Sequence, residues 1–550
     1  MAAVSPGAAM SHKRVLFRAA ARERILAGAT ALADAVRVTL GPKSKCVLIE
    51  RAWGPPLVCN DGVTIAKEID LEDPEENLGA RILREAAERT GDVVGDGTTT
   101  STLLAHAMFA DGLRNIAAGA SAIDLKRGLD RGLRVAVEAI HAQSRPVASR
   151  LEKAQVATIS AHNDAALGDV VSEAFEKVGS EGVVTVEEAK GTETAIEVVD
   201  GLQFDRGLLS PYFVTDSERQ QAVLENPLIL LHEARIAGLK EFLPFLEAVV
   251  PLHRPLLVIA ESVESEALAT LVINRLRGVL ECVAVKAPGY GDRRKELMQD
   301  IAILTGGKFL ATDLGVALDA VKPADLGSAD RVIVGRESTT VIGGRGSKES
   351  IRGRCDEIRR QVVEAKGDYD REKLEERLAK LAGGVAIIRV GAPTEAELKS
   401  RKEALSDAIS ATRAAIAEGI VPGGGLALVR AAGPLEAEEA RCEGDERTGI
   451  RVLRKALEVP TRTIAENSAA DGGVVVGELR RGSGSHGFDA ARGVYCDLVE
   501  AGIVDPTKVV RTALENAVSV AGTLLLTEAT LTAVKPPREE PAHADLAGGL

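Results

Sequence analysis

The chain has 550 residues, too many for a single hydrophobic core, and length alone predicts about three or four domains. Its 68 basic and 81 acidic residues leave a net charge of −13, which argues against nonspecific nucleic-acid binding. Aromatics are only 3% of the chain, with Trp53 the sole tryptophan, so base-stacking platforms are not expected either.

In chain order, the first ten residues, Met1 to Met10, are small and uncharged, and read as a short disordered extension without a targeting pattern. From Leu16 to Thr39 the spacing predicts a helix, with Ile25, Ala29, Leu32, Ala35 and Val36 on one stripe. It stops at Thr39-Leu40-Gly41-Pro42, and a strand follows over Cys46 to Glu50. Asn60-Asp61-Gly62-Val63-Thr64 then forms a turn that carries a carboxylate. Helices are expected over 76–92, 98–118 and 123–142, which makes residues 1–142 a mostly helical block with three polar, glycine-bearing loops.

The texture changes near Ser144-Arg145-Pro146. Segments 182–188 and 195–199 read as strands. Through 227–336, strand-like runs (Leu228–Leu231, Leu256–Ala260, Val283–Val285) alternate with helical ones at 239–249 and 264–277, an α/β layer pattern. Val332–Gly335 and Thr339–Ile342 predict a hairpin, and 350–382 two helices broken at Gly367-Asp368. A strand at Val385–Val390 leads to a long helix over 394–417 that carries Asp407. From Gly419 the chain is alanine-rich and helical again, like its beginning, which suggests that the two ends share one domain and the middle is inserted.

Several classes of chemistry are absent from the pattern. The six cysteines are scattered with no C-x-x-C pair, as in a reduced, cytoplasmic protein. The eight histidines show no paired metal-ligand spacing, and no uninterrupted apolar run reaches membrane-spanning length. Walker A is missing, the dinucleotide fingerprint is unconvincing, and there is no short-period repeat. What remains is Val94-Gly95-Asp96-Gly97-Thr98-Thr99-Thr100, between two predicted helices. Its glycines allow close approach, Asp96 offers a carboxylate to a hard cation, and the following helix start suits an anion. A Gly-Asp-Gly turn capped by threonine would read the same way. Asp61, Asp96 and Asp407 stand out as acids that could serve phosphoryl transfer to water, if the fold unites them. Each taken singly could equally be a helix or turn cap.

A set of motifs in register carries a resemblance. Thr39-Leu40-Gly41-Pro42, Asp61 to Lys67 and Gly95 to Thr100 come first, followed by Gln203 to Gly207, Ser210 to Phe213, Lys286 to Gly289 and Gly291 to Lys295. Asp368 to Leu374, Leu381 to Val385, Ala411 to Ala415, Gly423-Gly424-Gly425 and Asp505 to Lys508 complete it. From about residue 12 to about 535 the chain resembles the group I chaperonins, the GroEL family.

That resemblance implies a multidomain α/β fold. A helical equatorial domain would come from both chain ends (1–142 and 418–550), with a small intermediate domain (143–199 and 386–417) and an α/β apical domain (200–385). It implies an ATPase that captures unfolded proteins on an apolar apical surface and encapsulates them in a ring cavity. ATP, Mg²⁺ and K⁺ are the implied cofactors. Clients, a GroES-type co-chaperonin and further copies in stacked rings are the implied partners, with no nucleic acid and no membrane. On the family pattern Thr39, Leu40, Gly41, Pro42, Asn60, Asp96, Gly97, Thr98, Thr99, Thr100, Gly424, Asp489, Ala490, Ala491 and Asp505 would line the nucleotide site. Asp96 would ligate Mg²⁺, Asp505 would hold the ribose, and Asp407 assisted by Asp61 would act on the attacking water. Leu208, Tyr212, Phe213, Leu243, Leu246, Leu268, Val272 and Ile273 match client-binding positions. Hinges would lie near Pro146 and Gly419, and near Gly201 and Gly383-Gly384. The chain departs from the family pattern at Asn60, where lysine is usual, and at Phe488-Asp489, where tyrosine and asparagine stand near the adenine. It departs again at Leu208, which replaces a common tyrosine, and in the tail from Pro541 to Leu550, which lacks glycine-methionine repeats. Asn60 and Asp489 motivate an alternative reading as a holding paralogue with weak turnover.

Overall fold

The computed structural model describes residues 13–51, 56–147, 149–179, 182–189, 191–217, 219–311, 318–365 and 367–533. The readings made for Met1–Met10, Trp53 and the tail from Pro541 lie outside them. The chain forms two compact units, unit 1 from residues 1–168 and 407–550 and unit 2 from residues 169–406.

Unit 1 opens with β1 (Lys13–Phe17), α1 (Arg18–Arg37), β2 (Val47–Ile49), β3 (Leu57–Cys59) and α2 (Gly62–Glu68). Then come α3 (Pro74–Val94), α4 (Thr98–Ala117), α5 (Ala122–Gln143) and α6 (Arg150–Ser160), with α7 (Ala165–Val178) leading out. The local chemistry explains the boundaries. Asp73 caps α3, accepting from the N–H groups of Glu75 and Glu76, with Pro74 in the first turn; Gly95 closes the helix in the left-handed region. Ser149 and Glu152 form a capping box on α6.

The expected helix from Leu16 begins two residues later. Leu16 and Phe17 belong to a strand that pairs antiparallel with Ala529–Ala533 from the far end of the chain, a partner that local periodicity cannot reveal. The apolar stripes of α1, α3, α4 and α5 meet in one core around Ile25, Leu32, Val36, Leu83, Leu104, Met108 and Phe109. Helices α1 and α3 cross at backbone contact. A Cβ on Gly28 would fall 1.7 Å from the Glu76 carbonyl oxygen, and one on Gly79 would fall 2.0 Å from that of Ile25.

Unit 2 comprises β4 (Val183–Glu188), β5 (Ala195–Val199), β6 (Gly201–Phe204), β7 (Ala222–Glu225), β8 (Leu228–His232) and α8 (Leu239–Val249). It continues through β9 (Leu256–Ala260), α9 (Ser265–Leu276), β10 (Cys282–Lys286), α10 (Asp292–Thr305), β11 (Phe309–Leu310), β12 (Gly327–Val334) and β13 (Thr339–Gly344). The segment ends with α11 (Lys348–Glu364), α12 (Asp368–Gly383), β14 (Val385–Val390) and α13 (Glu395–Glu418), through which the chain returns to unit 1. The main sheet runs β10-β9-β8-β12-β13-β6, with β11 beside β8 and β7 beside β12. Its parallel part, β8 to β10, consists of the near-continuous apolar runs expected of strands covered on both faces. The hairpin expected over 332–342 is β12–β13, with Val334 opposite Thr339. A second sheet places β14 between β4 and β5. A buried charge triad ties α10, α11 and α12 together. Asp300 accepts from Arg354 Nε at 2.7 Å and from Arg377 Nη2 at 3.0 Å, and all three side chains are almost wholly buried.

Back in unit 1 come β15 (Ile420–Pro422), α14 (Leu426–Ala440), α15 (Gly444–Ala456), α16 (Val459–Asn467), α17 (Gly472–Arg481), the hairpin β16 (His486–Asp489) and β17 (Val494–Asp497), β18 (Val504–Pro506), α18 (Thr507–Leu526) and β19 (Ala529–Ala533). By length and composition α18 could cross a membrane, although no such run was expected. However, 67% of its most apolar window is buried, and Leu514, Val518 and Leu525 belong to the unit 1 core.

Candidate functional site

Separate stretches of unit 1 converge on the Gly95–Thr100 loop. Gly95 and Gly97 have φ of +71° and +77°, which L side chains rarely adopt, so the loop turns sharply on both sides of Asp96. Gly97 has no side chain to cap α4, and the N–H groups of the first α4 turn are left for another acceptor. Asp96 is held on both oxygens: the Gly97 N–H donates to Oδ1, and Ser160 Oγ donates to Oδ2 at 2.6 Å.

The Thr39–Pro42 turn lies beside this loop. Thr39 Oγ1 and Thr99 Oγ1 are 3.2 Å apart, and the Asn467 amide donates to the carbonyls of Arg37 and Leu40, both at 2.9 Å. Asp61 caps α2, accepting from Val63 and Thr64 N–H. The next residue, Gly62, touches the threonines: a Cβ there would fall 2.4 Å from Thr99 Oγ1 and 3.2 Å from Thr98 Oγ1. Asn60, half-buried, precedes Asp61. The bland reading of Asp61 as a cap is therefore literally true, and the cap stands against the threonine loop all the same.

From the other end of the chain, Gly425 starts α14 in the left-handed region, again with no side chain to cap the helix. Gly424 has φ +65°, and its carbonyl accepts from Thr461 Oγ1 at 3.0 Å. Asp505, paired with Val421 across β15–β18, reaches this turn. Burial and the neighbouring Asp96 carboxylate push Asp505 up to about 7, against the lowering effect of a hydrogen bond from Gly425 N–H. Two uncapped helix starts and two carboxylates thus face one region, although more than 400 residues separate Asp96 from Asp505 in sequence. Among the described residues no three His, Cys, Asp or Glu side chains could hold a metal by themselves. A carboxylate beside uncapped helix starts suits a Mg²⁺ that arrives with polyphosphate oxygens and keeps several waters.

Asp407 lies on α13, three residues before Ser410. A Cβ on Gly95 would fall 2.4 Å from Ser410 Cβ, so this helix packs directly on the Asp96 loop. Val94, Ala414 and Val509 close the contact. Asp489 has a structural part in its own turn. Its Oδ1 accepts from Ala491 and Arg492 N–H at 2.9 and 3.1 Å and closes the β16–β17 turn, and the side chain is buried. Ser160, Thr461, Asn467 and Ser410 were not singled out by sequence. Each is a common polar residue inside an ordinary helix, and no local signal marks it.

Unit 2 carries a surface of another kind. Tyr212, Leu243 and Ile273 are 63%, 44% and 47% exposed, on a short turn, α8 and α9. Leu208, Leu268 and Val272 are partly buried against the unit 2 core. Two expected surface positions require correction. Phe213 and Leu246 are core residues, because the turn after Ser210 and the α8 face that packs inward point them into the sheet layers. Leu243 and Leu246 therefore do not present one common surface. Leu276 and Val279, not singled out by sequence, are 65% and 53% exposed at the end of α9 and just beyond it.

The profile of the TCP-1/cpn60 chaperonin family matches residues 32–535. The chain is 63% identical over 539 residues to Chaperonin GroEL 5 of Bradyrhizobium diazoefficiens, covering 98% of this chain and 100% of that protein.

Proposed function

The chain belongs to the TCP-1/cpn60 chaperonin family and is an ATP-dependent protein-folding chaperone, and we propose that the convergent loops of unit 1 are its nucleotide site. The observation that carries this reading is the Asp96–Asp505 pair, set between the uncapped starts of α4 and α14. Thr39 to Pro42, Asn60, Asp96 to Thr100, Gly424, Ala490 and Ala491 would line the nucleotide, and Asp505 would take the ribose. Asp489 supports the hairpin turn beside them. Asp96 would hold Mg²⁺, with K⁺ near Asn60. Bound Mg-ATP supplies a γ-phosphoryl group whose transfer to water needs charge neutralisation. Asp407, assisted by Asp61, would take the proton of the attacking water, and backbone N–H groups at the α4 start would orient the phosphate oxygens.

We read 143–199 and 386–417 as the intermediate domain and 200–385 as the apical one. Gly419 and Gly384, with φ of +82° and +67°, supply hinge backbone. Exposed Tyr212, Leu243 and Ile273 suit contact with non-native chains, which need apolar area without sequence specificity. Clients, a GroES-type co-chaperonin and other copies in stacked rings are the partners, in a reducing cytoplasm that suits six free cysteines. The alternative of a mainly holding protein is not favoured, since the chain is 63% identical over 98% of its length to a protein named a GroEL chaperonin.

Asp407→Ala tests the site. It is expected to bind ATP as the wild type does and to lose about 100-fold or more in turnover. Turnover within twofold of wild type would remove Asp407 from the chemistry.

A further inference from the structure

The hairpin β16–β17 borders the glycine turn at the start of α14. The Phe488 carbonyl oxygen is 3.9 Å from where a Gly424 Cβ would stand, and the Leu498 side chain is 3.8 Å from it. The segment that delivers the hairpin has little structure of its own. Between the end of α17 and the start of β16 lie Gly482, Ser483, Gly484 and Ser485, two of them glycines that cost entropy to order. One guanidinium gathers this segment. Arg430, on α14 five residues beyond Gly425, donates through Nε to the Gly484 carbonyl at 3.1 Å and through Nη2 to the His486 carbonyl at 3.0 Å. Its Nη1 donates to the Leu479 carbonyl. Leu479 is in the last turn of α17, where carbonyls lack helical partners and the helix dipole is negative. Among the described residues no carboxylate pairs with Arg430.

We propose that Arg430 is a positioning residue for the nucleotide pocket. It fixes the β16–β17 hairpin to the helix that begins at Gly424–Gly425, and so sets the pocket wall on the base side. This rests on the nucleotide-site reading above. Its planar fork serves three carbonyls, one each from the end of α17, the connecting segment and the start of β16, at fixed angles, which an ammonium cannot do. The charge is paired only with carbonyl dipoles, and burial accordingly lowers its proton affinity. Asp96, Thr98 and the α4 start are anchored by other residues, so loss of Arg430 loosens the base side and spares the phosphate side.

The test is calorimetric titration of the full-length protein with ATP and, separately, with inorganic tripolyphosphate, for wild type and Arg430→Met. The expected result is ATP binding about tenfold weaker, tripolyphosphate binding within about twofold, and kcat at saturating ATP nearly unchanged. Arg430→Lys keeps the charge but not the fork, and is expected to weaken ATP by about threefold. It carries the test by the same ratio if Arg430→Met does not fold. Unchanged ATP affinity would overturn the proposal, and so would equal weakening of both ligands, which would mean general loosening. If the wild type itself bound ATP no tighter than tripolyphosphate, the base-side wall would be absent, and the nucleotide-site reading would fall together with the role of Arg430.

Discussion

The loops of unit 1 proposed to hold nucleotide are made of backbone, and the apolar face of unit 2 is made of side chains. In unit 1, left-handed glycines and uncapped helix starts leave N–H groups for a ligand, and carboxylates are placed by hydrogen bonds from Gly97, Ser160, Val63, Thr64 and Gly425. In unit 2, Tyr212, Leu243 and Ile273 stand exposed on elements whose other faces are consumed by the core. The first construction fixes geometry and suits a ligand with one shape. The second leaves rotamer freedom in apolar side chains and suits many chains that share only exposed hydrophobic groups. A residue change should therefore injure one site by altering geometry and the other by removing area.

The largest effect expected within unit 2 comes from its charge triad. Asp300→Ala leaves Arg354 and Arg377 without their shared carboxylate and with only the half-exposed Glu357 and Glu296 as partners, at a cost of about 3 kcal/mol. Hydrogen exchange should show protection lost from α10, α11 and α12, with the α1 and α4 amides unaffected. Equal loss in both units would mean that they do not unfold as separate bodies.

A smaller effect belongs to unit 1. His106, beside Thr30, is lowered to about 4, first by burial and then by the Arg37 charge. The folded chain keeps this imidazole neutral, while the unfolded chain takes up a proton below about 6.5. The unfolded state thus binds more protons between those values, and stability is lost as pH falls through that window. About 2 kcal/mol should go between pH 7 and pH 5, read from exchange of α1 and α4 amides, and His106→Gln should remove the slope. A slope that persists in His106→Gln would assign the loss to other groups.

Smaller still is the loss of apolar area. Tyr212→Ser with Leu243→Ser should weaken capture of an unfolded client by about tenfold and leave ATP turnover within twofold. Phe213→Ala should instead destabilise unit 2, because that ring lies in the core. If the surface pair left capture intact, Leu276 and Val279 would be the next residues to remove.

The two constructions were unequally legible in the sequence. Gly95 to Thr100 is conspicuous because left-handed backbone demands glycine, Gly424 and Gly425 entered only through the resemblance, and the apolar runs of β8 to β10 stand out because both faces are covered. The pairing of β1 with β19 was invisible, since it joins the two ends of the chain and the helical stripe of α1 runs without a break up to Leu16. Phe213 and Leu246 were placed on the surface by the resemblance alone, and an apolar residue looks the same in sequence whether it faces core or solvent, so only the packed partner decides. Ser160 and Arg430 left no trace, because a serine or an arginine in a helix is ordinary until its hydrogen-bond partners are seen.

On the proposed function, nucleotide held by unit 1 sets the client affinity of unit 2. The most direct measurement is the Kd of a permanently unfolded, carboxymethylated chain for Asp407→Ala, with and without saturating Mg-ATP. In that variant bound ATP persists, so the two states are compared without turnover. Differential affinity between hinge states predicts a Kd at least about tenfold higher with ATP bound. The same Kd with and without ATP, in a protein shown to hold ATP, would mean that nucleotide does not set client affinity.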